Sequence, residues 1–408
     1  MDTAAAAAAE GATMTFGPVS YLDCLVFCLL LTPQLLWHVG LFDTVLCVLQ
    51  ALPFLLKLPV SFVWERYLCP RRHRAPFVQV ASPFEDFVVR CVRYAFANIP
   101  PRIGRVFFTK EVAAPFLRFR MLRHGYIKSP VQWREYHEDS FKGIWISRDL
   151  GRKPDFVLYY AHGGGFSMGS SYFYLEFLLA WLSALILAGY DNPAIFALEY
   201  TLVPDASYPT QALEAISGYG HVLSVAQDPS IICVSGDSAG ATLILSLLLH
   251  LGDDRRESPS HGRMQLQKPA LALLISPWVT LVSSRQKNTK SDYLDAHQLR
   301  QYGRQFAGTK ISENDPLVSP GCCTDVSWWK RSSPSKGIFI TYGEEEIMAP
   351  DIKDLMKILC EADVVVGSKS EAGGIHAWPV ASLFLSSSKA QRLKGLKTVT
   401  EEIRRRIP

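Results

Sequence analysis

Two patterns of apolar residues divide the chain. Over residues 21–64 apolar side chains run almost unbroken, densest at 25–31 and 45–49. A bilayer span takes roughly 20 such residues, and this segment offers about twice that number. Pro33, His38, Asp43, Pro53 and Pro59 interrupt it. The expectation is a membrane anchor over residues 1–74, either one kinked, partly interfacial span or a hairpin turning near residues 38–43. The apolar region is too long, and too poor in basic residues at its start, for a cleaved signal peptide. Helices of a soluble cap are the competing reading.

The second pattern is an alternation. Short runs rich in β-formers at 156–160, 194–198, 231–234, 271–275 and 338–342 are separated by stretches of helical period, as at 172–188, 210–226 and 239–251. Continuous apolar strands between helices predict an α/β fold, a mostly parallel central sheet with helices on both faces. Residues 75–150, helical in period and mixed in polarity, are predicted to form cap or lid helices, and 151–408 the catalytic domain. The polar stretch 252–267 reads as a surface loop.

Composition narrows the function without naming it. With 408 residues, 49% apolar and 20% charged, the chain can bury a large core. The net charge of +4 is dispersed, so no nucleic-acid partner is expected, and Arg404-Arg405-Arg406 reads as a solvated helix face. Arg66, Arg71, Arg72 and Arg74 follow the apolar segment, whereas residues 1–20 hold no Lys or Arg. The positive-inside bias therefore favours the cytoplasmic side for the domain that follows, and the expected membrane is the endoplasmic reticulum or another endomembrane. Cys24, Cys28 and Cys47 lie in the apolar segment, Cys233 in a strand, and Cys322-Cys323 are adjacent without a CxxC partner. That spacing fits neither a disulfide framework nor a zinc site. No Asn-x-Ser/Thr occurs.

The sharpest local signal is Gly236-Asp237-Ser238-Ala239-Gly240, placed between a predicted strand and a predicted helix. A nucleophilic serine presented on a strained strand-to-helix turn needs small flanking residues, so Ser238 is the expected nucleophile. His162-Gly163-Gly164-Gly165 follows the first clear strand. Consecutive glycines let backbone N–H groups approach an oxyanion, and Gly163, Gly164 and Ala239 are the expected donors. His162 precedes the nucleophile and is expected to order its loop.

In this arrangement the acid and the histidine follow the serine. His250 ends the helix that starts at the elbow, His261 lies in the polar loop, and His297 lies in a polar helical stretch. His376, on Gly373-Gly374-Ile375-His376-Ala377-Trp378 beyond the apolar run 364–366, is the expected base. The acid should follow the strand at 338–342, where Glu344, Glu345, Glu346 and Asp351 compete.

Together, HGGG, GDSAG and the histidine loop resemble the hormone-sensitive-lipase-like esterases. Glu199-Tyr200-Thr201-Leu202-Val203-Pro204-Asp205 with Tyr208-Pro209, Ser276-Pro277-Trp278 and Asp315-Pro316-Leu317-Val318-Ser319-Pro320 match further landmarks of that family, over roughly residue 154 to the end. The resemblance implies an acid three residues after the strand-end glycine. Counted from Gly343 this is Glu346, glutamate where the family has aspartate, with Glu344 and Asp351 as alternatives. It also implies a serine carboxylesterase that needs no metal or organic cofactor and acts on small-molecule esters. With the anchor, the chain looks like fungal steryl acetyl hydrolase-type members, which implies membrane lipid as a partner and apolar, even acetylated, substrates. A non-catalytic binding protein, an amidase and an acyltransferase are the other functions the same residues allow.

Overall fold

The computed structural model describes residues 13–253 and 266–408. Eight strands form one mixed sheet in the order β1-β2-β4-β3-β5-β6-β7-β8. They are β1 (Gln132–Glu138), β2 (Phe141–Ser147), β3 (Phe156–Ala161), β4 (Pro193–Glu199), β5 (Ile232–Asp237), β6 (Leu271–Ile275), β7 (Ile338–Gly343) and β8 (Val366–Glu371). β2 runs antiparallel to its neighbours β1 and β4, and β3 to β8 run parallel.

The principal helices, numbered with shorter turns left out, start with α1 (Tyr21–His38), α2 (Leu41–Val63), α3 (Pro83–Asn98) and α4 (Lys110–Arg123). Next come α5 (Ser171–Leu187), α6 (Thr210–Ala226), α7 (Ala239–Leu251) and α8 (Ala296–Ala307). The last are α9 (Ala349–Glu361), α10 (Trp378–Leu385) and α11 (Lys389–Arg406). Strand alternation sorts the core into two layers. Val157, Tyr159 and Ala161 of β3 pack with α6, α7 and α9, whereas Phe156, Leu158 and Tyr160 pack with α5 and α11.

Two features of the pattern differ from expectation. The span 75–150 holds the β1–β2 hairpin besides cap helices, so the sheet begins before residue 151. β1 is a solvent-facing edge strand, Gln-Trp-Arg-Glu-Tyr-His-Glu, and carries no apolar run to betray it. β8, at the other edge, takes only Val366 from the apolar run and continues through polar residues. Of the polar stretch 252–267, residues 254–265, with His261, lie outside the described residues.

By length and composition α1 and α2 could each cross a membrane. The segment before α1 is nevertheless fastened to the catalytic domain: Met14 N–H donates to Ser183 Oγ at 2.7 Å and Val19 N–H to Phe384 O at 2.8 Å. Arg120 of α4, fully buried, pairs with Asp23 of α1 at 3.3 Å and Glu176 of α5 at 2.7 Å, and donates to Gly17 O. Removing one partner from such a cluster strands buried charge. Arg120→Met is therefore expected to lower unfolding stability by about 3–5 kcal/mol, read as a drop in denaturant midpoint at unchanged m-value.

Candidate active site

Ser238 stands between β5 and α7 with φ 51° and ψ −118°. A non-glycine residue in that region is strained, and the strain is held by close packing on either side. A Cβ on Gly236 would come 2.8 Å from Ala161 O, and one on Gly240 only 2.1 Å from the same oxygen. Both flanking glycines are thus required by the approach of the elbow to the end of β3. Ser238 N–H donates to Ile275 O at 3.0 Å, and Trp278 N–H donates to Ser238 O at 3.1 Å, which ties the turn to β6.

The Gly-rich loop after β3 folds beneath the serine. Gly163 N–H donates to Asp237 Oδ1 at 2.8 Å, and that buried carboxylate also accepts from Tyr160 and Tyr174 hydroxyls, each at 2.7 Å. Burial pushes the Asp237 carboxyl above its ordinary value even so. The expected oxyanion role of Gly163 is corrected by this bond, because its N–H already serves Asp237. Among the described residues the N–H groups of Gly164, Gly165 and Ala239 have no hydrogen-bond partner. Gly164 and Gly165 hold φ +113° and +62°, conformations that suit glycine. Gly165 was not anticipated, since HGGG alone does not reveal which amide Asp237 occupies. His162 is buried and held near 4 by desolvation, so it is neutral; its ring stacks on Tyr200 at 4.3 Å and its Nδ1 lies 2.7 Å from Gly163 O.

His376 lies on the loop between β8 and α10 and lines the same cavity as Ser238. Its Nδ1 is 3.7 Å from Glu346 Oε2, an ion-pair spacing longer than a direct hydrogen bond. Glu346 is buried, and Oε2 accepts from Ser276 Oγ at 2.6 Å and Gly343 N–H at 3.2 Å. Desolvation pulls the His376 pKa down, but Glu346 together with the Asp292 and Asp237 charges outweighs it and the net shift is upward. The competing residues go elsewhere. Glu344 is exposed and accepts from Ser370, Glu345 from Ser291, and Asp351 from Ser283. His250 sits at the far end of α7 and His297 is exposed on α8.

Two residues have supporting roles that the sequence does not reveal, although Ser276 stands in a family landmark. Ser276, at φ 45°, donates to Glu346 and accepts from Ala377 N–H at 2.9 Å, so it bridges the acid and base loops. Asp292 is buried and accepts from Ile347 N–H at 2.8 Å and His376 N–H at 3.1 Å, bridging the same two loops. Its charge also helps raise the His376 pKa. No local signal marks Asp292, which lies in a coil more than fifty residues from either loop. Asp292→Asn should lower kcat/KM by about a hundredfold through misplacement of the base, and should move the acidic limb of the pH profile to lower pH. A merely structural role would leave that limb in place.

A cavity of about 500 Å³ lies over Ser238 and His376. Its outer walls come from α1, α3 and α4, with Phe27, Val89, Phe96, Phe116 and Leu117, and its lining is overwhelmingly apolar. A family model described as the alpha/beta hydrolase fold matches residues 158–380. The chain belongs to the alpha/beta hydrolase fold family. An acetyl-hydrolase of Streptomyces hygroscopicus is 27% identical to this hydrolase over 243 residues, 57% of this chain and 71% of that one. Steryl acetyl hydrolase 1 of Saccharomyces cerevisiae is 24% identical over 222 residues, 51% of this chain and 49% of that one, so the match spans about half of the yeast protein. An esterase from the bacterial hormone-sensitive lipase family superposes with a TM-score of 0.60 at 21% identity, covering 81% of this hydrolase and 100% of that chain. At that identity the likeness shows the fold.

Proposed function

We propose that this hydrolase is a serine carboxylesterase for apolar, lipid-like esters presented at a membrane. The observation that carries the reading is a strained Ser238 sharing an apolar cavity with His376, above unpartnered N–H groups. Ser238 Oγ attacks the ester carbonyl as His376 takes its proton, and Glu346 orients the imidazole and stabilises its charged form. Gly164, Gly165 and Ala239 N–H groups receive the oxyanion. His376 then protonates the leaving alkoxide, and water repeats the sequence on the acyl-enzyme. The apolar lining supports an apolar ester, and the curated relatives named as acetyl-hydrolases support an acetyl group as the acyl part. The apolar α1 and α2 support membrane attachment, with the endoplasmic reticulum or another endomembrane as the proposed site.

The test is hydrolysis of p-nitrophenyl esters from acetate to laurate by the full chain, together with acetate esters of bulky apolar alcohols. Turnover of at least one series is expected, with kcat/KM rising as the alcohol becomes more apolar. No turnover of any ester, with the cavity still binding an apolar fluorophore, would overturn the reading in favour of a non-catalytic ligand-binding member of the fold.

A further inference from the structure

Although α1 and α2 have the length of membrane spans, each is packed lengthwise on charged protein. Along α1, Asp23 meets Arg120 and Arg123, Phe27 meets the Phe116 ring edge-on at 5.2 Å, and Leu31 packs on Val112. α4 therefore runs antiparallel beside α1 over most of its length. It carries Lys110 and Glu111 at one end and Arg118 and Arg123 toward the other, all exposed. Standing α1 upright in a bilayer would carry these charges into hydrocarbon, which disfavours them.

α2 repeats the pattern against α3. Phe54 stacks on Tyr94 at 4.2 Å, Leu58 is buried, and Phe62 meets Phe87 edge-on. Asp43, Gln50 and Lys57 are spaced seven apart and so share a stripe next to that packed face. Asp43 uses its place there to pair with Arg102 at 3.0 Å. Val45, Leu49, Leu52, Leu56, Val60 and Val63 cover the opposite face and are exposed, Leu56 by 75%. An exposed apolar face backed by a polar stripe and by a face packed on protein suits the plane of an interface, not a span. Trp37, Trp64 and Tyr67 are exposed near the helix ends, and exposed Arg71 and Arg72 follow, side chains suited to the headgroup layer.

The cavity reaches the surface between α1 and α3. Cys28 of α1 and Val92 of α3 each line the cavity and are each exposed. The rings of Tyr21 and Phe84 meet edge-on at 5.2 Å, so the two helices start side by side. Cys28 is seven residues beyond the first and Val92 eight beyond the second, which puts the pair at one height. Leu25 and Leu29 are exposed on the same turns of α1.

We propose that α1 and α2 do not cross the bilayer but lie in the plane of one leaflet, and that the active-site cavity opens into that leaflet between α1 and α3. The ester then passes sideways from lipid to Ser238 without entering water. The second half of this inference rests on the esterase reading; the first half does not.

The test uses the full-length chain in two arms. In sealed membranes, a protease site inserted between Val39 and Gly40 is expected to be cut, or protected, together with a tag at the C-terminus. Opposite accessibility of the two would overturn the in-plane placement in favour of spans. In the second arm, Leu25→Glu with Leu29→Glu, and separately Leu52→Glu with Leu56→Glu, are assayed for flotation with phosphatidylcholine–phosphatidylserine vesicles and for ester hydrolysis. Binding is expected to fall roughly tenfold for each leucine withdrawn from lipid, with kcat/KM on a vesicle-borne long-chain ester following it. Activity on soluble p-nitrophenyl acetate should be unchanged. Equal losses on both esters would overturn the portal. Wild-type chain that never floats, or that instead self-associates through these faces, would overturn the leaflet as occupant. No hydrolysis of any ester, with the accessibility result intact, would remove the esterase reading and leave the placement standing.

Discussion

Ser238→Ala should lower kcat on p-nitrophenyl esters by roughly a millionfold while apolar ligands still bind the cavity. The removed oxygen is the only group of the constellation that bonds to substrate carbon, so nothing nearby substitutes for it. What remains comes from Gly164, Gly165 and Ala239 amides and from binding, which leave residual acceleration over water in serine hydrolases. The same position carries a second expectation, on stability. Alanine keeps the Cβ and therefore the strained φ of 51°, whereas glycine relieves it. Ser238→Gly should thus unfold later than Ser238→Ala by about 1–3 kcal/mol, although both are inactive. Measurable turnover by the alanine variant, free of contaminating esterase, would remove Ser238 from its role. Equal melting of the two variants would mean the elbow stores no strain.

Glu346→Gln is the second large effect, a fall in kcat of about ten-thousandfold, because glutamine keeps the shape but can neither fix the useful tautomer nor stabilise the imidazolium. Its pH dependence has a definite sign. In the proposed mechanism activity needs neutral His376, so it should be lost as pH falls through the histidine pKa, which lies above the ordinary 6.5 in the folded protein. Desolvation alone would lower that pKa, and Glu346 is the main group opposing it. Without the carboxylate the acidic limb should therefore move to lower pH while the plateau collapses. Glu344→Gln and Asp351→Asn should leave both plateau and limb near wild type, since their carboxylates are engaged by Ser370 and Ser283. A collapse in either of those variants, with Glu346→Gln active, would reassign the acid.

The strand-to-helix turn at Ser238 and the glycine loop that carries His376 were legible because their constraints are local. Ser238 needs a strand, a helix and two glycines within a few residues, and His376 needs a glycine loop after a late strand. The parallel core strands were equally legible, since burial on both faces writes an unbroken apolar run. The edges were not. β1 faces solvent and lies within a stretch expected to be helical, and β8 after Val366 carries no apolar run. Among the adjacent glutamates composition could not choose, and only the family spacing pointed to Glu346.

Tertiary structure alone decided which amides remain free, which carboxylate reaches His376, and against which helices the apolar N-terminal segment packs. Gly163 looks identical to Gly164 along the chain, yet the buried Asp237 occupies one amide and leaves the other open. Ser276 and Asp292 act across sequence separations of 55 to 101 residues, and such pairings leave no periodic or compositional trace. Hydropathy registers α1 and α2 as apolar but is blind to the charged helix lying beside α1. Sequence determines a side chain's chemistry and local period; the packing of distant segments determines whether each polar group is spent, free or aimed at a substrate.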